Sequence, residues 1–213
     1  MSLLVLQGAV EQGFIYALVA LGLYISFRTL DIADLTTDGT FTLGAAVSAV
    51  FTVQGQPLLG VVLAFFCGAL AGFVTALLQT KLGVQPILAG IITMTALYSV
   101  NLMVMGKPNI NFFKEKTIFT AAEAMPGGFG SLLQAAAITA VLCMLLVLFL
   151  RTQLGLSLRA TGDNRDMVSA SSINPAFTTT VGLCLSNAVV ALSGALIAQY
   201  QKFADNTLGT GMV

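Results

Sequence analysis

Arg151, Arg159, Asp163, Arg165 and Asp166 place three arginines and two aspartates within sixteen residues of an otherwise apolar chain. A guanidinium is a planar fork of donors with a permanent charge, suited to carboxylates and carbonyls on a partner. The chemistry on offer there is recognition of a soluble partner. A second group lies within or beside long apolar runs: Glu11, Asp34 and Asp38. A carboxylate inside a membrane is a functional candidate by default. If the first helix starts at Leu3, Glu11 lies about 12 Å along it. If it starts near Gly8, Glu11 sits at the helix end, where negative charge suits the dipole. Asn101, Asn187, Thr93, Thr95 and Tyr98 are polar residues in mid-run. Such groups either bond between helices or touch a solute. Thr40 and Phe41 have the same two readings, path or lipid.

Other chemistries are excluded. The chain has no histidine, the usual metal ligand and proton switch. Cys67, Cys143 and Cys184 lie in apolar runs, at spacings that suit neither a metal site nor a disulfide framework. No G-x-x-x-x-G-K-[ST] loop is present, so the chain supplies no nucleotide site.

The elements that must carry these residues are membrane helices. Hydrophobic residues make up 57% of the chain and charged residues only 8%, against about 25% charged in a soluble domain. Mean hydropathy is +0.93. Zero net charge speaks against nucleic acid as a partner. The N-terminus lacks a basic n-region and a small-residue cleavage site, so its apolar run is expected to remain as a span.

A helix needs about 20 apolar residues to cross the hydrocarbon core. The gaps between charges predict spans over Leu3–Phe27, Pro86–Met105, Leu132–Leu150 and Ala176–Gln199. Gly39–Thr80 holds two more, with a turn at Gln54-Gly55-Gln56-Pro57. The expectation is an all-α polytopic membrane protein of about six helices, forming one domain over residues 1–213. The second span is short, with only fifteen residues from Gly39 to Val53. A full crossing would draw Asp34–Thr40 to membrane depth, where irregular backbone survives only if protein buries it or it lines a watery cavity. The alternative is an ordinary loop before a short helix.

Lysine and arginine asymmetry orients the chain. No basic residue precedes the first helix and Arg28 follows it, which predicts an outside N-terminus. Segment 151–175 then lies in the cytoplasm and loop 106–130 outside.

Leu154-Gly155-Leu156-Ser157-Leu158-Arg159-Ala160-Thr161-Gly162-Asp163-Asn164, continuing to Ile173-Asn174, resembles the cytoplasmic coupling segment of bacterial ABC importer permeases of the branched-chain amino acid and ribose type. Their pattern reads roughly LG-x-x-x-x-A-x-G-x-N, then a helix ending near GIN; this chain has Ser172 where glycine is usual. Leu35-Thr36-Thr37-Asp38-Gly39-Thr40-Phe41-Thr42-Leu43-Gly44-Ala45-Ala46 is similar to the family's D-L-[ST]…GA element. Pro86–Thr95 and Ala195–Tyr200 resemble a subgroup associated with aromatic amino acid uptake.

The resemblance covers the whole chain. It implies a permease in the bacterial plasma (inner) membrane that catalyses nothing and binds no cofactor. ATP and Mg would sit on a cytosolic ATPase partner docked on Gly155, Arg159, Ala160, Gly162, Asp163, Asn164 and Arg165. An extracytoplasmic solute-binding protein would deliver the solute, and a second permease copy would complete a homodimer in the lipid bilayer. The path would run past Asp38, Thr40, Phe41, Thr93, Thr95, Asn101 and Asn187. An ion-coupled secondary transporter or a channel is the alternative.

Local physics adds further expectations. Gly155 and Gly162 bracket a step of two helical turns with flexible ends, and Asp163 or Asn164 caps the next helix. Gly68 and Gly72 form a GxxxG packing step, within one subunit or between two. Ala33-Asp34-x-Thr36 is echoed by Ala204-Asp205-x-Thr207. An inverted repeat would produce such an echo, with an incomplete second half.

Overall fold

The computed structural model describes residues 3–120 and 129–212. Helix α1 (Leu3–Leu23) runs on into a π-helical turn, Tyr24–Thr29. Then follow α2 (Thr36–Val53), α3 (Pro57–Thr80), α4 (Pro86–Met105), β1 (Asn109–Asn111) and α5 (Gly130–Arg151). Two short helices, α6 (Gln153–Asp163) and α7 (Arg165–Ala170), lead to the long α8 (Pro175–Gln201) and β2 (Phe203–Asp205).

Among the described residues, five helices are long and apolar enough to cross a membrane: Val5–Thr29, Pro57–Thr80, Pro86–Met105, Gly130–Arg151 and Pro175–Gln201. Helix α2 is the sixth long helix, and its first turns carry Thr36, Thr37, Asp38, Thr40 and Thr42. It tolerates them because most of its residues are buried against other helices, so lipid never meets its polar side chains. Proline opens α3, α4 and α8 at the first turn, where its missing N–H costs nothing.

Helix α8 is the buried axis, with α1, α2 and α3 packed around it. Small residues make this close approach possible. A Cβ on Gly44 would stand 1.8 Å from the Ala191 carbonyl oxygen, and one on Gly194 would stand 2.0 Å from that of Phe41. Gly68 and Gly72 meet the α8 backbone at Asn187 and Leu183. The GxxxG step therefore joins two helices of one chain. The outer faces of α3, α4 and α5 expose large apolar side chains such as Phe66, Leu70, Met103, Leu133 and Met144, as a lipid-facing surface requires.

The helices begin and end at two levels. At one, α6 and α7 fold beneath α1, α5 and α8. At the other, β1 pairs antiparallel with β2, Asn109 opposite Asp205 and Asn111 opposite Phe203. This small ladder fastens the end of α4 to the end of α8 and adds two strands to the expected all-helical fold. Within the expected loop 106–130, residues 121–128 lie outside the described residues.

Candidate functional site

Between the π-helical turn and α2 the chain abandons helical structure while still inside the bundle. Leu30 and Ile32 are buried against Ile25, Ala76, Leu158 and Leu183. Asp31 takes a left-handed φ of 54°. The Leu30 and Ile32 amides donate to the Ile25 and Ser26 carbonyls at 3.1 and 2.9 Å. Non-helical backbone at depth is tolerated when its polar groups are satisfied in this way.

Asp34 is the centre of this segment and is fully buried. Its Oδ1 accepts the Thr36 amide at 2.9 Å, and its Oδ2 accepts Asn187 Nδ2 at 2.6 Å. Asn187 lies about 18 Å along α8 from Pro175, at 1.5 Å per residue. The Thr40 hydroxyl donates to Asn187 Oδ1 at 2.7 Å, and the Thr36 and Thr75 hydroxyls bond at 2.9 Å. Asp34 and the start of α2 thus sit inside the bundle, the first of the two readings the short second span left open.

Asp38, one turn into α2, opens onto a cavity of about 260 Å³ between α2 and α4. Gly39, Thr42, Met94, Thr95, Tyr98 and Asn101 form its walls, and Asn206 and Thr210 close it beyond β2. Asp38 Oδ2 accepts the Gly211 amide at 3.0 Å, while its Oδ1 is buried with no hydrogen-bond partner among the described residues. Asn101 Nδ2 donates to the Gly39 carbonyl at 3.2 Å, which leaves Asn101 Oδ1 without a partner. Both side-chain polar atoms of Asn206 are likewise buried and unpartnered. Folded proteins pair nearly all buried polar groups. Four orphaned atoms on three residues lining one cavity mark a place built to receive something polar.

The path candidates separate accordingly. Asp38, Thr95 and Asn101 line the cavity. Thr40 and Asn187 belong to the Asp34 network. Thr93 is buried and bonds back to Ala89 at 3.0 Å. Phe41 is fully buried, stacked on Tyr16 at 6.2 Å between ring centroids. Reading residues singly overlooked Met94, Asn206 and Thr210. Met94, Tyr98 and Asn101 share one face of α4 by helical spacing, a signal present in the sequence.

Helix α6 is fixed along one stripe. Gly155, Leu158 and Thr161 are buried, and Gly162 lies one turn after Leu158. A Cβ on Gly162 would stand 2.1 Å from the Thr29 carbonyl oxygen, and one on Gly155 would stand 2.4 Å from that of Phe149. Thr161 and Thr178 bond at 2.8 Å, linking α6 to α8. The expectation of flexible glycine ends is therefore corrected. Both glycines lie inside the helix, and they are small because backbone passes over them. Thr152 caps α6 by accepting the Gly155 amide, and Asn164 caps α7 by accepting the Met167 amide at 3.0 Å. Ser172 holds a left-handed φ of 62°, a conformation that favours glycine. Arg159, Asp163, Asn164 and Arg165 are exposed, beside Leu154, Leu156 and Met167; Ala160 is half-buried.

Glu11 is buried at the opposite level. It accepts from Gln7 (2.9 Å), Ser131 (2.7 Å) and Tyr200 (2.7 Å). Ser131 opens α5 and Tyr200 closes α8, so Glu11 stands level with helix ends and ties three helices together.

The sequence profile of the branched-chain amino acid transport system / permease component family matches residues 5–213. A tyrosine transport system permease protein of Clostridioides difficile (strain R20291) is 38% identical over 201 residues, 94% of this chain and 66% of that protein. An uncharacterized protein of Rickettsia prowazekii (strain Madrid E) is 34% identical over 98% of this chain and 72% of its own length. A probable branched-chain amino acid transport permease protein of Methanocaldococcus jannaschii is 23% identical over 96% of this chain and 69% of its own length. The chain spans about two thirds of the length of these relatives. No solved structure matches it.

Proposed function

Because the chain belongs to the branched-chain amino acid transport system / permease component family, we propose that it is the membrane-spanning subunit of an ATP-driven importer for an aromatic or other hydrophobic amino acid. The observation that carries this reading is the two-faced character of α6. Its inner stripe is seated on the ends of α1, α5 and α8, and its remaining surface exposes Leu154 (45%), Leu156 (56%) and Arg159, the last two one turn apart. Exposed apolar side chains beside forked cationic donors suit the cleft of a soluble ATPase.

The same contacts supply a route for coupling. Gly162 rests on Thr29, the last residue of the π-helical turn. Leu30 and Ile32 follow, then Asp34 in its bond to Asn187, then Asp38 at the cavity. A push on α6 meets backbone at Thr29 rather than a compliant side chain. Allosteric coupling needs an element with two arrangements that both sites bias; the non-helical segment 30–35 is that element here.

On this reading α6 and α7 face the cytoplasm and the N-terminus lies outside. Two copies flank a central path in a bacterial plasma membrane, and an external binding protein delivers the solute. The amino acid class rests on similarity to the tyrosine permease. An ion-coupled carrier is the second reading, because Asp38 places one ionisable group on the cavity; copurification with the ATPase separates the two.

The test is copurification in detergent with the ATPase encoded alongside, for the native chain and for Arg159→Glu. The native pair should copurify and the variant should not, with the variant still inserted in the membrane. A native chain that never retains the ATPase overturns the reading.

A further inference from the structure

We propose that the cavity between α2 and α4 is a solute subsite that receives a primary ammonium group, with Asp38 as its counter-ion. This rests on the importer reading and names the part of the solute that the chain itself holds. The argument is one of unmatched valence. Asp38 Oδ1 and Asn101 Oδ1 are buried acceptors without donors among the described residues, and both residues line the same space. The orientation of the Asn101 amide is fixed, because its Nδ2 must face the Gly39 carbonyl, which only accepts. None of the residues lining the cavity is cationic, so the carboxylate charge has no partner there. A buried charge without a partner is costly, and so is a buried acceptor without a donor. An ammonium carries one positive charge and three N–H donors, and it answers both needs at once.

The rest of the cavity fits a solute with an apolar body. Met94 and Tyr98 line the cavity beside the polar cluster, and Tyr98 is 53% exposed. Asn206 offers an amide donor and acceptor on the far side, both unpartnered. At about 260 Å³ the space falls just below the range of about 300–1,000 Å³ typical of small-molecule sites, so it suits one small molecule. A neutral sugar would leave the Asp38 charge unanswered.

The experiment is isothermal titration of the full-length permease–ATPase complex in detergent, without the external binding protein. The probes are L-tyrosine, tyramine, which keeps the amine and lacks the carboxylate, and 3-(4-hydroxyphenyl)propionate, which keeps the carboxylate and lacks the amine. Tyrosine and tyramine should bind, and the propionate should bind at least tenfold more weakly. Asp38→Asn should weaken tyramine at least tenfold while ATPase copurification is retained. Should Asp38→Asn fail to assemble, Tyr98→Ala serves as the second variant, and it should weaken tyrosine and tyramine severalfold. The proposal falls if the propionate binds as tightly as tyramine, or if no probe binds to an intact complex. It falls too if an assembled Asp38→Asn, or Tyr98→Ala in its place, leaves tyramine binding unchanged. An unmodified chain that never assembles with the ATPase would instead sink the importer reading.

Discussion

Asn187 Nδ2 donates to Asp34 Oδ2 at 2.6 Å, 153 residues apart in sequence and fully buried on both sides. This bond joins the middle of the axial helix α8 to the polar end of the non-helical segment, whose Leu30 and Ile32 pack in an apolar cluster. The same Asn187 accepts from Thr40 at 2.7 Å. One side chain therefore fixes both the segment and the first turn of α2, the turn that carries Asp38.

Asn187→Leu removes the donor at nearly unchanged volume and leaves Asp34 short of a partner. Leaving a buried acceptor unsatisfied costs about 1–3 kcal/mol. The detergent-solubilised variant should unfold at a lower temperature than the native chain. Uptake into proteoliposomes by the assembled importer should fall, with ATPase copurification unchanged. Native uptake in this variant would show that the bond plays no part in coupling.

Gly162→Ala brings a methyl group against the Thr29 carbonyl, where the clearance is 2.1 Å. Backbone on both sides must give, and overpacking of this kind costs about 1–3 kcal/mol. Arg159→Glu, on the exposed face, should leave thermal stability within about 0.5 kcal/mol and abolish uptake. The pair separates seating from docking. Equal thermal stability in the two variants would contradict the assignment of faces.

Ser172→Gly should stabilise the protein. A non-glycine residue at φ 62° bears a left-handed strain of about 1–2 kcal/mol, offset in part by the greater freedom glycine gains on unfolding. The net expectation is a rise in the melting midpoint equivalent to roughly 0.5–1 kcal/mol. A lower midpoint would mean that the Ser172 side chain holds the turn before α8.

Glu11→Ala strips Ser131 and Tyr200 of a shared acceptor and loosens α5 from α1 and α8. Each of these partly buried hydrogen bonds contributes about 0.5–1.5 kcal/mol. Glu11→Gln keeps one acceptor oxygen and should lose less than the alanine variant. Transport measured in both should follow their stability. A large transport defect in a stable Glu11→Gln would instead reveal a role for the charge itself.

The echo between Ala33-Asp34-x-Thr36 and Ala204-Asp205-x-Thr207 has a shared geometry. Asp34 Oδ1 accepts the Thr36 amide at 2.9 Å, and Asp205 Oδ1 accepts the Thr207 amide at 2.7 Å. Two short motifs of one composition make the same turn, at different depths of the bundle.

Much of this protein is decided by its sequence alone. Charge-free runs must become spans, because hydrocarbon accepts nothing else of that length. Hence Pro86–Met105 agrees to the residue, and Pro175–Gln201 and Gly130–Arg151 agree within two at each end. The short second span left two readings open, and the burial of Asp34 against Thr36 and Asn187 favours the one that puts it at depth. Tertiary structure alone decided which polar residues face each other. Thr40, Phe41, Thr93, Thr95, Asn101 and Asn187 look alike as polar or aromatic positions in apolar helices. Only the packing around α8 encloses Asn187 and Phe41 while turning Asn101, Thr95 and Asp38 toward a shared cavity. The glycines of α6 show the same limit. Spacing marks them as special, but a missing Cβ serves flexibility or close contact equally well in one dimension. The carbonyl of Thr29, 133 residues earlier in the chain, decides between the two, because nothing larger than hydrogen fits beneath it.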